Sequence, residues 1–366
     1  MKPTQTHGFI SDRDIMIAVT SNIIGITTLI FPRVIAQYTS AGDGWIAILI
    51  GGIVACIWSW VIAKIASSFP NQSFITYASY LLTKPMAVII TTLFIIHFIL
   101  VTAYQVREVT VLAHQYLFDK TPIEVVSLLF LLVVVYGVSG SRAGIFRLIV
   151  IFFPTVIVGL LILVVMPLGL FKTENLLPTF QTDFQGHMKA SLSTVGTFLG
   201  FSMLLFYIEL VKEPKNTPKM AVKGVMIAVL FSFLIFLICI GTFGNATTRN
   251  LFFPAFDISK TVELPGGFFE RSDVILFVIW TIIIFTTTLI FFDLIVLLMM
   301  MLFKNAKKMN IILGISPLIF LLSMLPVNYI EITNVGRFLT NSLFIFLLIV
   351  TILLGITYKV KGGNQN

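Results

Sequence analysis

The feature that most constrains this chain is a succession of apolar stretches, each long enough to cross a bilayer. A transmembrane helix needs about 20 mostly apolar residues. That rule places ten helices at roughly 14–37, 45–68, 86–117, 123–139, 143–168, 188–210, 219–243, 272–303, 310–326 and 334–358. Composition agrees: 58% of the residues are hydrophobic, only 11% are charged, and the mean hydropathy is +1.03. A soluble domain does not look like this, and the chain reads as an all-α integral membrane protein with the lipid bilayer as its solvent.

The net charge of +8 does not point to nucleic acid. Lys and Arg concentrate in short loops, where they set orientation. With a cytoplasmic N-terminus, the inside receives Lys64, Lys84, Arg142, Arg147 and the lysines near 212–223, 304–308 and 359–361. Asp43, Glu108, Asp183, Asp257 and Glu331 gather on the other side. Both termini are therefore expected in the cytoplasm. No cleavable signal peptide is expected, because the segment before residue 14 is polar and the first apolar run is too long for one. Cys56 and Cys239 sit in apolar runs and read as packing residues without a disulfide. Residues 169–187 and 244–271 form the two long outer connections, and "PAFDISKTVEL" in the second predicts a short helix.

Two apolar stretches are interrupted. The first holds "TSNIIGITTLIFPR", with Asn22, Gly25, Thr27 and Thr28 near mid-span. The sixth holds "SLSTVGTFLGFS", with Gly196, Gly200 and Ser202. Ten helices divide five plus five, and an odd number per half makes any repeat inverted. The expected domains are a cytoplasmic segment 1–13, a first repeat 14–168, a connection 169–187, a second repeat 188–358 and a cytoplasmic tail 359–366. Matching interruptions in helices one and six point to a transporter-type site at the interface of the repeats. Unwound backbone survives at that depth only when buried in protein or lining a cavity. Gly permits the turn and close approach of a ligand, and a half-helix N-terminus attracts a carboxylate. Tight helix–helix packing is the competing reading of the same small residues.

The ordered set "NIIGITTLIFPR", "DGW" at 43–45, "REVTVLAHQYLFDKTPIEV", "RLIVIFFP", "FLGFSMLLFYIE" and "FTT" at 285–287 resembles the spore germination receptor B subunits, also called endospore germination permeases. The resemblance spans essentially the whole chain. It implies the amino acid–polyamine–organocation superfamily and a LeuT-like five-plus-five inverted repeat with broken helices one and six. It further implies a nutrient sensor in the spore inner membrane, binding a small germinant such as an amino acid. Lipoprotein and large cytoplasmic-domain subunits would be its partners. The chain departs from the family pattern at Thr27, where a second Gly is common, and at Ser202, where an acidic residue is common. Those departures bear on ligand identity and proton coupling.

Gly25 and Gly200 are the leading pocket residues. Asn22, Thr27 and Thr28 either contact polar ligand groups or cap the interrupted backbone. Phe198 and Leu199 would wall an apolar ligand side chain. Val101 and Gln105 share one face of helix three, the helix that borders the site in a LeuT-like bundle. Thr287, within "TTT" at 286–288, either completes a cation site or bonds back to its own helix. Asp293 is an ionisable residue at depth, for which function is the default, with Arg13, Lys64 or Arg147 as its expected gate partner. Glu209 sits near the inner end of helix six with Lys212 at i+3, while Arg33 and Arg107 lie near the outer ends of helices one and three. Arg142 and Arg147 are explained by orientation alone. No nucleotide loop, zinc spacing or nucleophile motif is present, so no enzyme, cofactor or metal is expected. Two other functions remain open: a proton- or cation-coupled amino acid uptake permease, and a passive scaffold or conduit without a ligand.

Overall fold

The computed structural model describes residues 10–27, 29–117, 120–261 and 272–362. The helices are α1 Asp12–Thr27, α2 Phe31–Ala36, α3 Gly44–Ser67, α4 Phe74–Leu81, α5 Lys84–Tyr116, α6 Ile123–Ser139, α7 Arg142–Val165 and α8 Phe184–Thr197. They continue with α9 Leu204–Tyr207, α10 Thr217–Phe243, α11 Asn245–Thr248, α12 Pro254–Thr261, α13 Ser272–Leu302, α14 Lys308–Met324 and α15 Tyr329–Gly362. Each of the ten apolar segments holds helix. Seven helical segments have the length and hydropathy of a membrane span by themselves, α6 and α14 are apolar but shorter, and the first segment is divided between α1 and α2. The protein is a multi-pass membrane protein. The short helix expected in the second connection is α12, and residues 262–271 of that connection lie outside the described residues.

Local signals account for the helix boundaries. The Thr83 side chain accepts from the Met86 N–H at the start of α5, Ser141 accepts from Gly144 before α7, and Asp183 accepts from Gly186 before α8. Pro32 sits in the first turn of α2, where its missing N–H costs nothing. The C-cap of α10 is Gly244 at φ +75°, a conformation that favours glycine.

At the centre lies α1, packed against α10, α13 and α7. The other face of α10 runs along α3, and α13 runs along α5 and α7. Ile15, Ala18, Val19 and Ile23 of α1 are fully buried. Large apolar side chains such as Ile53, Ile57, Leu129, Ile345 and Ile356 are instead exposed, as lipid-facing positions should be. Both long connections leave one end of the bundle, the end that the basic-residue bias assigns to the outside, here called the outer end.

Two clasps hold the bundle ends. At the inner end, Ile10 donates its N–H to the Leu210 carbonyl at 2.9 Å and accepts from the Lys212 N–H at 3.1 Å. The approach to α1 is thereby tied to the end of the sixth segment. At the outer end, the buried carboxylate of Asp43 accepts backbone N–H bonds from Phe180, Gln181 and Thr182 at 2.6, 2.7 and 2.8 Å. Burial alone would raise its pKa. The bonds from Thr182, Phe180 and Gln181 outweigh burial and hold it below the ordinary carboxylate value.

Candidate functional site

Both expected interruptions exist. The first lies between Thr27 and Phe31, about one turn later than the Asn22–Thr28 pattern predicts, so Asn22 and Gly25 sit inside the continuous helix α1. Pro32 explains the shift, since it starts a new helix and makes the residues just before it the weak point. Thr28 and the Thr27 side chain lie outside the described residues. In the sixth segment α8 stops at Thr197, and Leu199–Met203 forms a 3-10 turn before α9. The segment ends in a second 3-10 turn, Ile208–Leu210. Gly196 falls inside the last turn of α8, where a Cβ would lie 2.9 Å from Thr340 of α15. Gly196 therefore serves close packing.

The two interrupted segments meet. The Asn22 side chain donates to the Gly200 carbonyl at 2.8 Å and approaches the Met203 sulfur at 3.8 Å. A Cβ on Gly200 would come within 3.0 Å of the Ile23 backbone nitrogen, so only glycine lets the 3-10 turn rest on α1. Gly25 faces α13, and a Cβ there would lie 2.2 Å from the Thr287 methyl. Thr287 in turn donates to the Ile284 carbonyl at 2.8 Å and accepts from Gln105 at 3.3 Å. Thr286 and Thr288 likewise donate back to their own helix. Val101, Phe198, Leu199 and Ser202 are buried. Asn22 Oδ1, Gln105 Oε1 and Ser202 Oγ, and Ser21 Oγ beside Asn22 on α1, are buried atoms without a hydrogen-bond partner.

Outward of this centre lies a cavity of about 160 Å³ between α2, α5, α8 and α15. Its lining includes Phe31, Arg33, Glu108, Thr197, Tyr329 and Arg337. Phe31, in the lining, stacks on Phe198, the residue before the 3-10 turn, with ring centroids 5.6 Å apart. Of the predicted site residues within the described chain, Arg33 alone lines the cavity. Its Nη1 donates to the Tyr329 hydroxyl at 3.3 Å, and its guanidinium lies over the rings of Phe252 and Tyr329. Arg107 points elsewhere and donates to the Val327 carbonyl at 3.5 Å, tying α5 to the approach to α15. From the sequence Glu108 reads only as an outer acidic charge. Its signal was present: an ionisable residue one turn beyond Gln105 in a long apolar helix.

The inner end closes on a charge pair. Asp293 is fully buried, accepts from the Tyr207 hydroxyl at 2.9 Å and pairs with Arg142 Nε at 3.4 Å. This corrects the expected partner, since Arg13, Lys64 and Arg147 form no such pair. It also corrects the reading of Arg142 as an orientation charge only: the turn before α7 carries it back over α13. The Lys308 ammonium, bonded to the Gly140 carbonyl, adds positive charge near the same carboxylate. Glu209, on the 3-10 turn after α9, is half-buried and feels the Arg142 charge.

A chain with these two interruptions, an outer cavity and an inner charge lock has the architecture of a LeuT-fold transporter. The crystal structure of MhsT in complex with L-phenylalanine superposes with a TM-score of 0.72 over 93% of this chain and 87% of that one, at 15% identity. A family model described as spore germination protein matches residues 9–332, and the chain belongs to that spore permease family. Spore germination protein GerLB of Bacillus cereus is 38% identical over 361 residues, covering 97% of this chain and 96% of its own. Spore germination protein YndE of Bacillus subtilis strain 168 is 27% identical over 350 residues, covering 95% and 96%.

Proposed function

We propose that the protein is the germinant-sensing membrane subunit of a spore germination receptor. It binds a small nutrient such as an amino acid between the first and sixth segments. Binding favours one arrangement of the bundle over another, and lipoprotein and large cytoplasmic-domain subunits read that change. The protein acts in the spore inner membrane with both termini in the cytoplasm, and residues 14–168 and 188–358 form its two repeats.

One observation supports this reading: α1 touches the 3-10 turn of the sixth segment through Asn22 and Gly200, and Ser21 and Asn22 of α1, Ser202 of the turn and Gln105 of α5 each carry a buried polar atom without a hydrogen-bond partner. Each such atom costs about 1–3 kcal/mol when left unpaired. A polar ligand offsets that cost, and a purely structural junction does not. Gly25 and Thr287 close the same junction from the α13 side. The test is germination of spores carrying Asn22→Ala or Gly200→Leu, with membrane insertion checked by immunoblot. The nutrient response should be lost while the protein remains in the membrane. An unchanged dose-response in both variants rules the reading out.

The fold likeness to MhsT favours a second reading, a proton- or cation-coupled amino acid uptake permease. Gradient-driven accumulation of labelled amino acid in vesicles separates the two readings, since a sensor alone does not concentrate its ligand.

A further inference from the structure

A groove of about 770 Å³ opens at the inner end of the bundle, lined by α4, the first turns of α5 and the end of α13 with the loop that follows it. Ile75, Val88, Met301, Leu302 and Phe303 give it apolar walls. Its charges are Lys84, the first residue of α5, and Lys304, two residues beyond α13. No Asp or Glu is among the lining residues. Both lysines are exposed, and neither makes a hydrogen bond or an ion pair among the described residues. Two other lysines of this end are spent on backbone: Lys308 donates to the Gly140 carbonyl, and Lys361 donates to the Tyr80 and Leu81 carbonyls at 2.8 and 2.9 Å.

The groove has a direction. Lys84, Val88 and Thr92 all line it and follow one another at i, i+4 and i+8 on one face of α5. At 1.5 Å per residue that face runs about 12 Å from the inner end toward the middle of the bilayer. The Thr92 hydroxyl donates to the Val88 carbonyl at 2.9 Å, so the deep part of the face is satisfied within its own helix. Cations therefore stand at the inner end of the wall and apolar surface continues behind them.

We propose that this groove holds an anionic phospholipid of the inner leaflet, its phosphate paired with Lys84 and Lys304 and an acyl chain lying along Val88 and Thr92. Basic pockets between membrane helices on the cytoplasmic side recognise such headgroups. Ser79 and Asn305, also in the lining, offer further donors to phosphate or ester oxygens. A zwitterionic lipid would bring its own cation against two lysines. A soluble anion would match the lysines but leave the apolar wall uncovered. One bound lipid would join α4, α5 and the end of α13, so the charge of the inner leaflet would bear on how firmly these elements hold together. The inference goes beyond the germinant reading and does not depend on it, since no residue of the junction lines the groove.

The test uses the full-length protein in detergent, with dioleoyl phosphatidylglycerol and dioleoyl phosphatidylcholine as separate probes. Native mass spectrometry gives the apparent affinity of the first lipid retained. Phosphatidylglycerol should bind about tenfold or more tightly than phosphatidylcholine. Lys84→Gln and Lys304→Gln should each weaken phosphatidylglycerol about fivefold, and the double variant should bind the two lipids nearly alike. The pair Lys219→Gln with Lys223→Gln, on α10 and outside the groove, should change nothing. Melting temperatures confirm that the variants are folded. Equal affinity for the two lipids overturns the site, as does full preference for phosphatidylglycerol in the Lys84→Gln, Lys304→Gln double variant. An equal loss in the α10 pair shows diffuse surface attraction and overturns it too. Displacement of phosphatidylglycerol by excess inorganic phosphate assigns the groove to a soluble anion, and displacement by a glutamate-rich peptide assigns it to an acidic protein segment; either result overturns the lipid.

Discussion

Asp293 and Glu108 are both carboxylates on long apolar helices, and both are almost wholly shielded from solvent. They differ in what faces them. Asp293 has Arg142 at 3.4 Å and the Tyr207 hydroxyl at 2.9 Å, both on Oδ2, while its Oδ1 makes no hydrogen bond. Glu108 has an unpartnered oxygen and a cavity of about 160 Å³. A charge at this depth must be matched, and at Asp293 the protein supplies the match. The inner pair locks α7 to α13, whereas the outer carboxylate lines a cavity without an ion-pair partner among the described residues. Asp43 is a third case: a buried carboxylate outside the spans, satisfied by three backbone N–H groups of the first long connection.

The contrast breaks most sharply at Arg142. Arg142→Ala leaves Asp293 buried without its counter-charge, and removing one member of a buried pair costs about 3–5 kcal/mol. Reversible unfolding in denaturant should show that loss, and a change under about 1 kcal/mol would make the pair incidental. Next comes Asp43→Asn. An amide offers only one acceptor oxygen to three donors, so the loss should be about 1.5–3 kcal/mol. The effect should depend on pH. Because the folded-state pKa is lowered, the contribution is fully present above the ordinary value of 3.8 and disappears as pH falls through the lower folded value. The stability gap between the natural protein and the variant should therefore close on acidification below that point. The smallest effect is expected at Glu108. Glu108→Gln removes a carboxylate that no Lys or Arg pairs among the described residues, so stability should change by less than about 1 kcal/mol or increase. Asp293→Asn, the matching change at the inner end, should lower stability by more than Glu108→Gln does. Equal losses at both sites would erase the distinction drawn between them.

The helical segments, the two interruptions and the short helix α12 were legible because hydropathy, Pro, Gly and capping residues act on their own neighbours. The exact place of the first break was misjudged by a turn. Gly25 looked like a hinge, yet in the bundle it is the contact point for Thr287 of α13. Gly196 was similarly read as part of a break but packs against Thr340. Asp293 is legible as costly and in need of a partner, whereas Arg142 reads locally as an orientation charge and only the bundle brings it to Asp293. Glu108 is legible in the sequence as an ionisable residue in a long apolar helix, but nothing local to it says whether its carboxylate is paired.

By itself the sequence determined that the chain lies in a membrane, roughly where its long helices lie, and that the first and sixth segments do not run unbroken. Those properties follow from bilayer thickness and from the backbone rules for Gly and Pro, which need no distant residue. Only the tertiary structure decided which buried charges are matched and which face a cavity. That outcome depends on α5, α7, α13 and α15 meeting at particular heights, and a few ångströms separate an ion pair from an unpaired carboxylate.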